Sequence, residues 1–135
     1  MCHSRSTGVA ALNVNGSTYH SFLRLGKTAS FNTLRGPRLL EFQRACASLR
    51  YIIIDELSML GCSALLAVNQ RLRQARPDMS SVLFSGFSII LFGDLGQLPP
   101  VGDSPLFMAR AGLRSVQGHG CYRSFAQAFV LSASV

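Results

Sequence analysis

Tyr51-Ile52-Ile53-Ile54-Asp55-Glu56 is the stretch from which the fold is read. Tyr51 and three consecutive β-branched isoleucines make an unbroken apolar run, the pattern of a short strand buried on both faces of a parallel sheet. Two carboxylates follow at once. A strand of this kind delivers both acids to the carboxyl edge of its sheet, where open α/β folds bind their ligands. A strand running into a polar turn shows the same six letters. The neighbours of the stretch must decide between the two.

Downstream, Phe87-Ser88-Ile89-Ile90-Leu91-Phe92 reads as a second buried strand, ending in Gly93-Asp94-Leu95-Gly96-Gln97-Leu98-Pro99-Pro100-Val101. Leu57 to Gly61 reads as a turn. Cys62 to Arg76 has a helical apolar stripe, with Leu65, Leu66, Val68 and Leu72 inward and Arg71, Arg73, Gln74 and Arg76 outward; Pro77 stops it. Strand, helix and strand form a βαβ unit, hence parallel pairing with a right-handed crossover. Asp55 and Glu56 then share a sheet edge with Asp94 and Gln97. Three acids and an amide at one edge are costly unless a cation or water is held there.

Upstream, Pro37 can open a helix whose stripe is Leu39, Leu40, Phe42, Ala45, Cys46 and Leu49. Thr7 is a plausible cap for a helix from Val9 to Val14, which Asn15-Gly16 ends. Ser17 or Thr18 can cap a second short helix carrying Tyr19, Phe22, Leu23 and Leu25. Gly26-Lys27-Thr28 carries the last letters of a phosphate-binding G-x-x-x-x-G-K-[ST] loop. Ser21 stands where the first Gly belongs and a helix precedes it, so it is not read as one. Beyond Val101 the pattern weakens. Leu106-Phe107-Met108 reads as a core anchor, Gly112 to Gly120 as a loop containing His119, Tyr122 to Ala126 as a turn of helix, and Ala128 to Leu131 as a last strand.

The 135 residues bound one domain or part of one, and 48% apolar residues can fill its core. No apolar run approaches the roughly 20 residues of a membrane span, and no signal peptide is visible, so no membrane partner is expected. The net charge is +7, with 13 basic residues against 6 acidic ones. That balance favours polyanions such as nucleic acid, but the basic residues, all Arg except Lys27, are spread along the chain. Four cysteines show no metal-ligand spacing; Cys46 and Cys62 read as buried thiols in a reducing compartment.

Three blocks, taken together, resemble one family. They are Thr7-Gly8-Val9-Ala10-Ala11 continuing to Gly16-Ser17-Thr18-Tyr19-His20-Ser21, then Ile54-Asp55-Glu56-Leu57-Ser58-Met59, then Gly93 to Val101. In order and spacing they resemble the Pif-type DNA helicases (named for petite integration frequency), the RecD-like branch of superfamily-one helicases. The resemblance implies an α/β fold, a partial RecA-like P-loop NTPase domain with a parallel sheet flanked by helices. It implies ATP and Mg²⁺ as cofactors, and single-stranded and duplex DNA as partners. Tyr51–Glu56 would be the Walker B strand. Asp55 would hold Mg²⁺ through water, and Glu56 would orient or deprotonate the attacking water. Gln97 would sense the γ-phosphate with Asp94 beside it. Thr7, Gly8, Thr18, His20 and Ser21 would meet single-stranded DNA.

The family's roles in DNA repair, recombination and telomere maintenance would follow, inside the cell, in nucleus or mitochondrion if the source is eukaryotic. The pattern is incomplete. The family's Walker A loop belongs upstream of Thr7, and Met1 to Ser6 does not read as the strand expected there. Phe129 to Ser132 only approaches the place of an Arg-Gln pair that reaches the nucleotide, and Leu95-Gly96 lacks an aromatic often found before the Gln. Residues 1–135 are thus expected to be part of the first RecA-like motor domain, inactive alone. A non-catalytic single-strand-binding remnant is the alternative.

Overall fold

The computed structural model describes the backbone of residues 2–5, 17–26 and 30–131, and the side chains of 18–26 and 30–131. Four strands form one sheet among the described residues. They are β1 (Cys2–Arg5), β2 (Ser17–Thr18), β3 (Tyr51–Ile54) and β4 (Ser88–Leu91), in the order β2-β1-β3-β4. Every neighbouring pair is parallel. Four α-helices accompany them among the described residues: α1 (Tyr19–Phe22), α2 (Gly36–Cys46), α3 (Cys62–Ala75) and α4 (Leu113–Arg123). None of the described helices is long and apolar enough to cross a membrane.

The central βαβ unit forms as its patterning demands. β3 and β4 pair in register from Tyr51 opposite Ser88 to Ile54 opposite Leu91, with α3 between them in sequence. Ile52 and Ile54 enter the core beside Leu65, Val68 and Leu72 of α3. The strands are not buried on both faces, however. Tyr51 is 48% exposed and Ile90 42%. Side chains alternate across a strand, so the isoleucine run reports one core face and one open face.

Six local readings are corrected. Cys2–Arg5 is a strand although its letters lack β-branched residues: β1 is hydrogen-bonded on both sides, and pairing overrides propensity. Gly112 to Gly120, expected as a loop, falls almost wholly within helix α4, and His119 lies in that helix. Gly118 is required there, because a Cβ would collide with the Cys62 carbonyl of α3. Residues 128–131 form no strand, and Phe129, Val130 and Leu131 are exposed. Arg71 points inward and is 1% exposed. Of the stripe on α2, Phe42 and Cys46 are buried while Leu40 is exposed. Of the anchor at 106–108, only Leu106 enters the core. The expected helix at Val9–Val14 lies outside the described residues.

Candidate functional site

Because all four strands are parallel, their carboxyl ends share one edge. Ser4 of β1 is level with Ile54 of β3 and with Ser17 of β2, so Thr18 sits one residue beyond the level of Ile54. Asp55-Glu56, the β4 extension to Asp94, and the start of α1 therefore leave the sheet on the same side. β2 lies two strand spacings, roughly 10 Å, from β3.

The ends of β3 and β4 are tied together. Phe92 N–H donates to Ile54 O (2.8 Å), and Leu57 N–H donates to Phe92 O (2.9 Å). Between these bonds the chain turns sharply at Glu56, which takes a left-handed conformation (φ 60°, ψ 49°). Non-glycine residues rarely do so. Glu56 N–H donates to Asp55 Oδ1 (2.9 Å). A short 3₁₀ turn, Leu57–Met59, follows. Asp55 and Glu56 are both half-buried.

After β4, Gly93 (φ 143°) passes against Glu56, and the chain enters a tight loop. Asp94 Oδ1 accepts from Gly96 N–H (2.8 Å), and Gln97 N–H donates to Asp94 O (3.2 Å). Asp94 thus shapes the loop that presents Gln97. A cleft of about 490 Å³ opens between this loop and the 3₁₀ turn, lined by Ser58, Met59, Gly96, Gln97, Leu98 and Pro99. The Ser58 hydroxyl at its wall is buried and has no hydrogen-bond partner among the described residues. In the sequence Ser58 is one letter of the Ile54–Met59 block, and no one-letter pattern shows an orphaned hydroxyl. Among the described residues no three His, Cys, Asp or Glu gather into a metal-binding group.

On the other side, Thr18 caps α1, its Oγ1 accepting from Ser21 N–H (3.2 Å). Tyr19 is buried, and its ring lies 3.9 Å from that of His20 between centroids. Burial lowers the His20 pKa from its ordinary 6.5. Ser21 is exposed. Thr7 and Gly8 lie outside the described residues. The structure thus brings Asp55, Glu56, Asp94 and Gln97 to one sheet edge and sets Thr18, His20 and Ser21 farther along it.

Below this edge, α3 anchors both groups. Its N-terminal amides at Ser63 and Ala64 donate to the Asp103 carboxylate (3.2 and 3.1 Å), just past the Gln97 loop. Cys62 N–H donates to Ser104 O (2.8 Å). Farther along α3, Arg71 reaches the end of α1, its Nε donating to Leu23 O (2.8 Å) and its Nη2 to Arg24 O (3.1 Å).

Residues 2–110 match the family described as PIF1-like helicase. The chain is 34% identical over 118 residues to the ATP-dependent DNA helicase Pif1 of Psychrobacter sp., matching 80% of this chain and 18% of that protein. It is 34% identical over 105 residues to the ATP-dependent DNA helicase PIF1 of Saccharomyces cerevisiae, matching 74% and 12%. The chain thus spans under a fifth of the length of these two relatives. Among solved structures, Pif1 from Bacteroides sp in complex with ADP-AlF4 superposes with a TM-score of 0.62 at 30% identity, over 76% of this chain and 24% of that one. The same helicase with ADP-AlF3 and single-stranded DNA gives 0.62 at 29% identity, over 76% and 24%. These RecA-like neighbours share the parallel sheet whose edge carries Asp55 and Gln97. By a match across most of its length, the chain belongs to the PIF1-like helicase family.

Proposed function

We propose that residues 1–135 are part of the first RecA-like motor domain of an ATP-dependent DNA helicase, which couples ATP hydrolysis to translocation on single-stranded DNA and duplex unwinding. The observation that carries this reading is the convergence at one sheet edge of Asp55-Glu56 and the Asp94–Gln97 loop, tied by the hydrogen bonds of Phe92. Phosphoryl transfer is mostly positioning and charge stabilisation, and this edge supplies rigid positions. Glu56 orients the attacking water and accepts its proton. Gln97 meets the γ-phosphate from a loop that Asp94 shapes. Thr7, Gly8, Thr18, His20 and Ser21 face single-stranded DNA.

The residues fit Mg²⁺ held in the manner of a nucleotide-bound ion. One strand-end carboxylate, Asp55, stands at the edge, one of its oxygens accepting from Glu56 N–H, and among the described residues no three His, Cys, Asp or Glu gather into a metal-binding group. Mg²⁺ in such sites keeps several waters and takes one or two carboxylates plus phosphate oxygens. When bound, it would neutralise charge on the phosphates. DNA repair, recombination and telomere maintenance, in nucleus or mitochondrion if the source is eukaryotic, are the processes this activity would serve.

The test is DNA-stimulated ATP hydrolysis by the full-length protein and its Glu56→Gln variant. Loss of about 10²–10⁴-fold in kcat is expected for removing a general base. Unchanged hydrolysis in the variant would sink the reading.

A further inference from the structure

Arg71 is a large buried cation that the nucleotide chemistry does not use. Its side chain is 1% exposed, and its guanidinium is spent on neutral acceptors. Nε donates to Leu23 O and Nη2 to Arg24 O, the two carbonyls just beyond α1. Nη1 donates to Gln74 Oε1, one turn along α3. Gln74 in turn clasps Leu34, its Oε1 accepting from Leu34 N–H and its Nε2 donating to Leu34 O, both 3.1 Å. The Phe31 ring lies 5.1 Å from the guanidinium carbon.

A four-residue helix cannot hold itself in water. α1 has one side-chain cap, at Thr18, and its far end turns through Arg24 at φ 51°. Arg71 satisfies the carbonyls exposed by that turn. A lysine there would keep the charge but lose the planar fork that bonds two carbonyls and an amide at once. The opposite end of α3 is fixed by Asp103 next to the Gln97 loop. One rigid helix therefore carries the anchors of both candidate site groups.

We propose that Arg71 is a positioning residue for DNA binding: it holds α1 in the orientation that presents His20 and Ser21, without itself touching DNA. The proposal rests on the reading that α1 meets single-stranded DNA.

The experiment measures binding of a fluorescent oligothymidylate to the full-length protein at several salt concentrations, with thermal midpoint and DNA-free ATP hydrolysis alongside. In Arg71→Lys, affinity should fall on the order of tenfold, within the range of residues that act through others. The salt slope should stay unchanged, because a buried cation releases no phosphate counterions. DNA-free hydrolysis should stay at the wild-type rate. Gln74→Leu, which removes the support of Nη1 together with the clasp on Leu34 but leaves the bonds of Arg71 to Leu23 O and Arg24 O, should weaken binding in the same direction by less, and it decides the matter if Arg71→Lys does not fold.

Affinity within twofold of wild type in the folded variants overturns the proposal. So does a salt slope shallower by about one unit, which would mark a direct phosphate contact. Parallel loss of DNA-free hydrolysis and binding overturns it as well, since that marks general destabilisation. A His20→Ala/Ser21→Ala double variant separates the premise. If it binds like wild type, α1 is not on the DNA and the premise falls with the proposal. If it loses affinity while the Arg71 and Gln74 variants do not, the proposal alone falls.

Discussion

Gly93 lies so close to Glu56 that a Cβ on the glycine would stand 3.3 Å from the Glu56 Cα and 2.7 Å from the next amide nitrogen, that of Leu57. The nearest atoms are backbone, which cannot swing aside. They are also fixed by the hydrogen bonds that join β3 to β4. Gly93 further adopts φ 143°, a conformation that suits glycine alone. Gly93→Ala is expected to cost about 1–3 kcal/mol for the strained backbone. A lower urea midpoint in the full-length protein, with unchanged m-value, checks it. Since the clash pushes on Glu56 itself, ATP hydrolysis should fall under conditions where the variant is still fully folded.

Glu56 is the counterpart of that contact. It holds φ 60° where a glycine would rest at less cost. A side chain kept at such a position is present for its carboxylate, not for the backbone. Two substitutions separate the roles. Glu56→Gln keeps the shape and should leave stability within about 0.5 kcal/mol of wild type. Glu56→Gly relieves the strain and should raise stability by up to about 1 kcal/mol after its greater unfolded-state entropy is counted. Both should lower hydrolysis to the same degree, by about 10²–10⁴-fold in kcat at saturating ATP and DNA. A glycine variant that is less stable than the glutamine one would contradict this account of the turn.

The centre of this fold was legible because it is written in side chains. The isoleucine run, the stripe of Leu65, Val68 and Leu72, and the Asp-Glu and Asp-Leu-Gly-Gln continuations predict a parallel pair with its acids at one edge, and that pair is present. What escaped is written in the backbone. β1 is made by its two neighbours, and α4 tolerates Gly118 because it must approach the Cys62 carbonyl. Arg71 turns inward because Leu23 O and Arg24 O wait there, and a carbonyl has no letter. The candidate site followed the same division. Asp55, Glu56, Asp94 and Gln97 were found by type and spacing, whereas Gly93 and the buried Ser58 hydroxyl emerge only once the strands are paired.

Asp103 caps α3 from forty residues downstream. Its carboxylate accepts from the Ser63 and Ala64 amides and from its own neighbour Ser104 (2.7 Å). Gly61, which precedes α3, leaves room for it: a Cβ there would overlap the carboxylate. The helix has no side-chain cap of its own, so the loss is not replaced locally. Asp103→Ala should cost about 1–2 kcal/mol, the upper range for losing an N-cap. Hydrogen exchange should accelerate first at Ser63 and Ala64, before the rest of α3. The variant should also lower the Tyr19 pKa from about 12, but only in part, because burial raises it more than the Asp103 charge does. Alkaline titration of the tyrosine absorbance reads that change.

His20 makes stability depend on pH with a definite sign. Burial lowers its folded-state pKa below the ordinary 6.5, so the folded protein resists taking up the proton that the unfolded chain accepts. Well above pH 6.5 the imidazole is neutral in both states and the stability is fully present. As pH falls below that value, the unfolded state binds the proton first, and stability declines until the folded-state pKa is passed. The thermal midpoint of the full-length protein should therefore drop between pH 7 and the acid side of that window. His20→Gln, which cannot titrate, should flatten the part of the slope that His20 supplies. Lying 3.9 Å from the Tyr19 ring between centroids, the neutral imidazole has an aromatic neighbour instead of a carboxylate to stabilise its cation. A midpoint that rises on acidification in the wild type but not in His20→Gln would reverse the sign and place an unrecognised anion beside the ring.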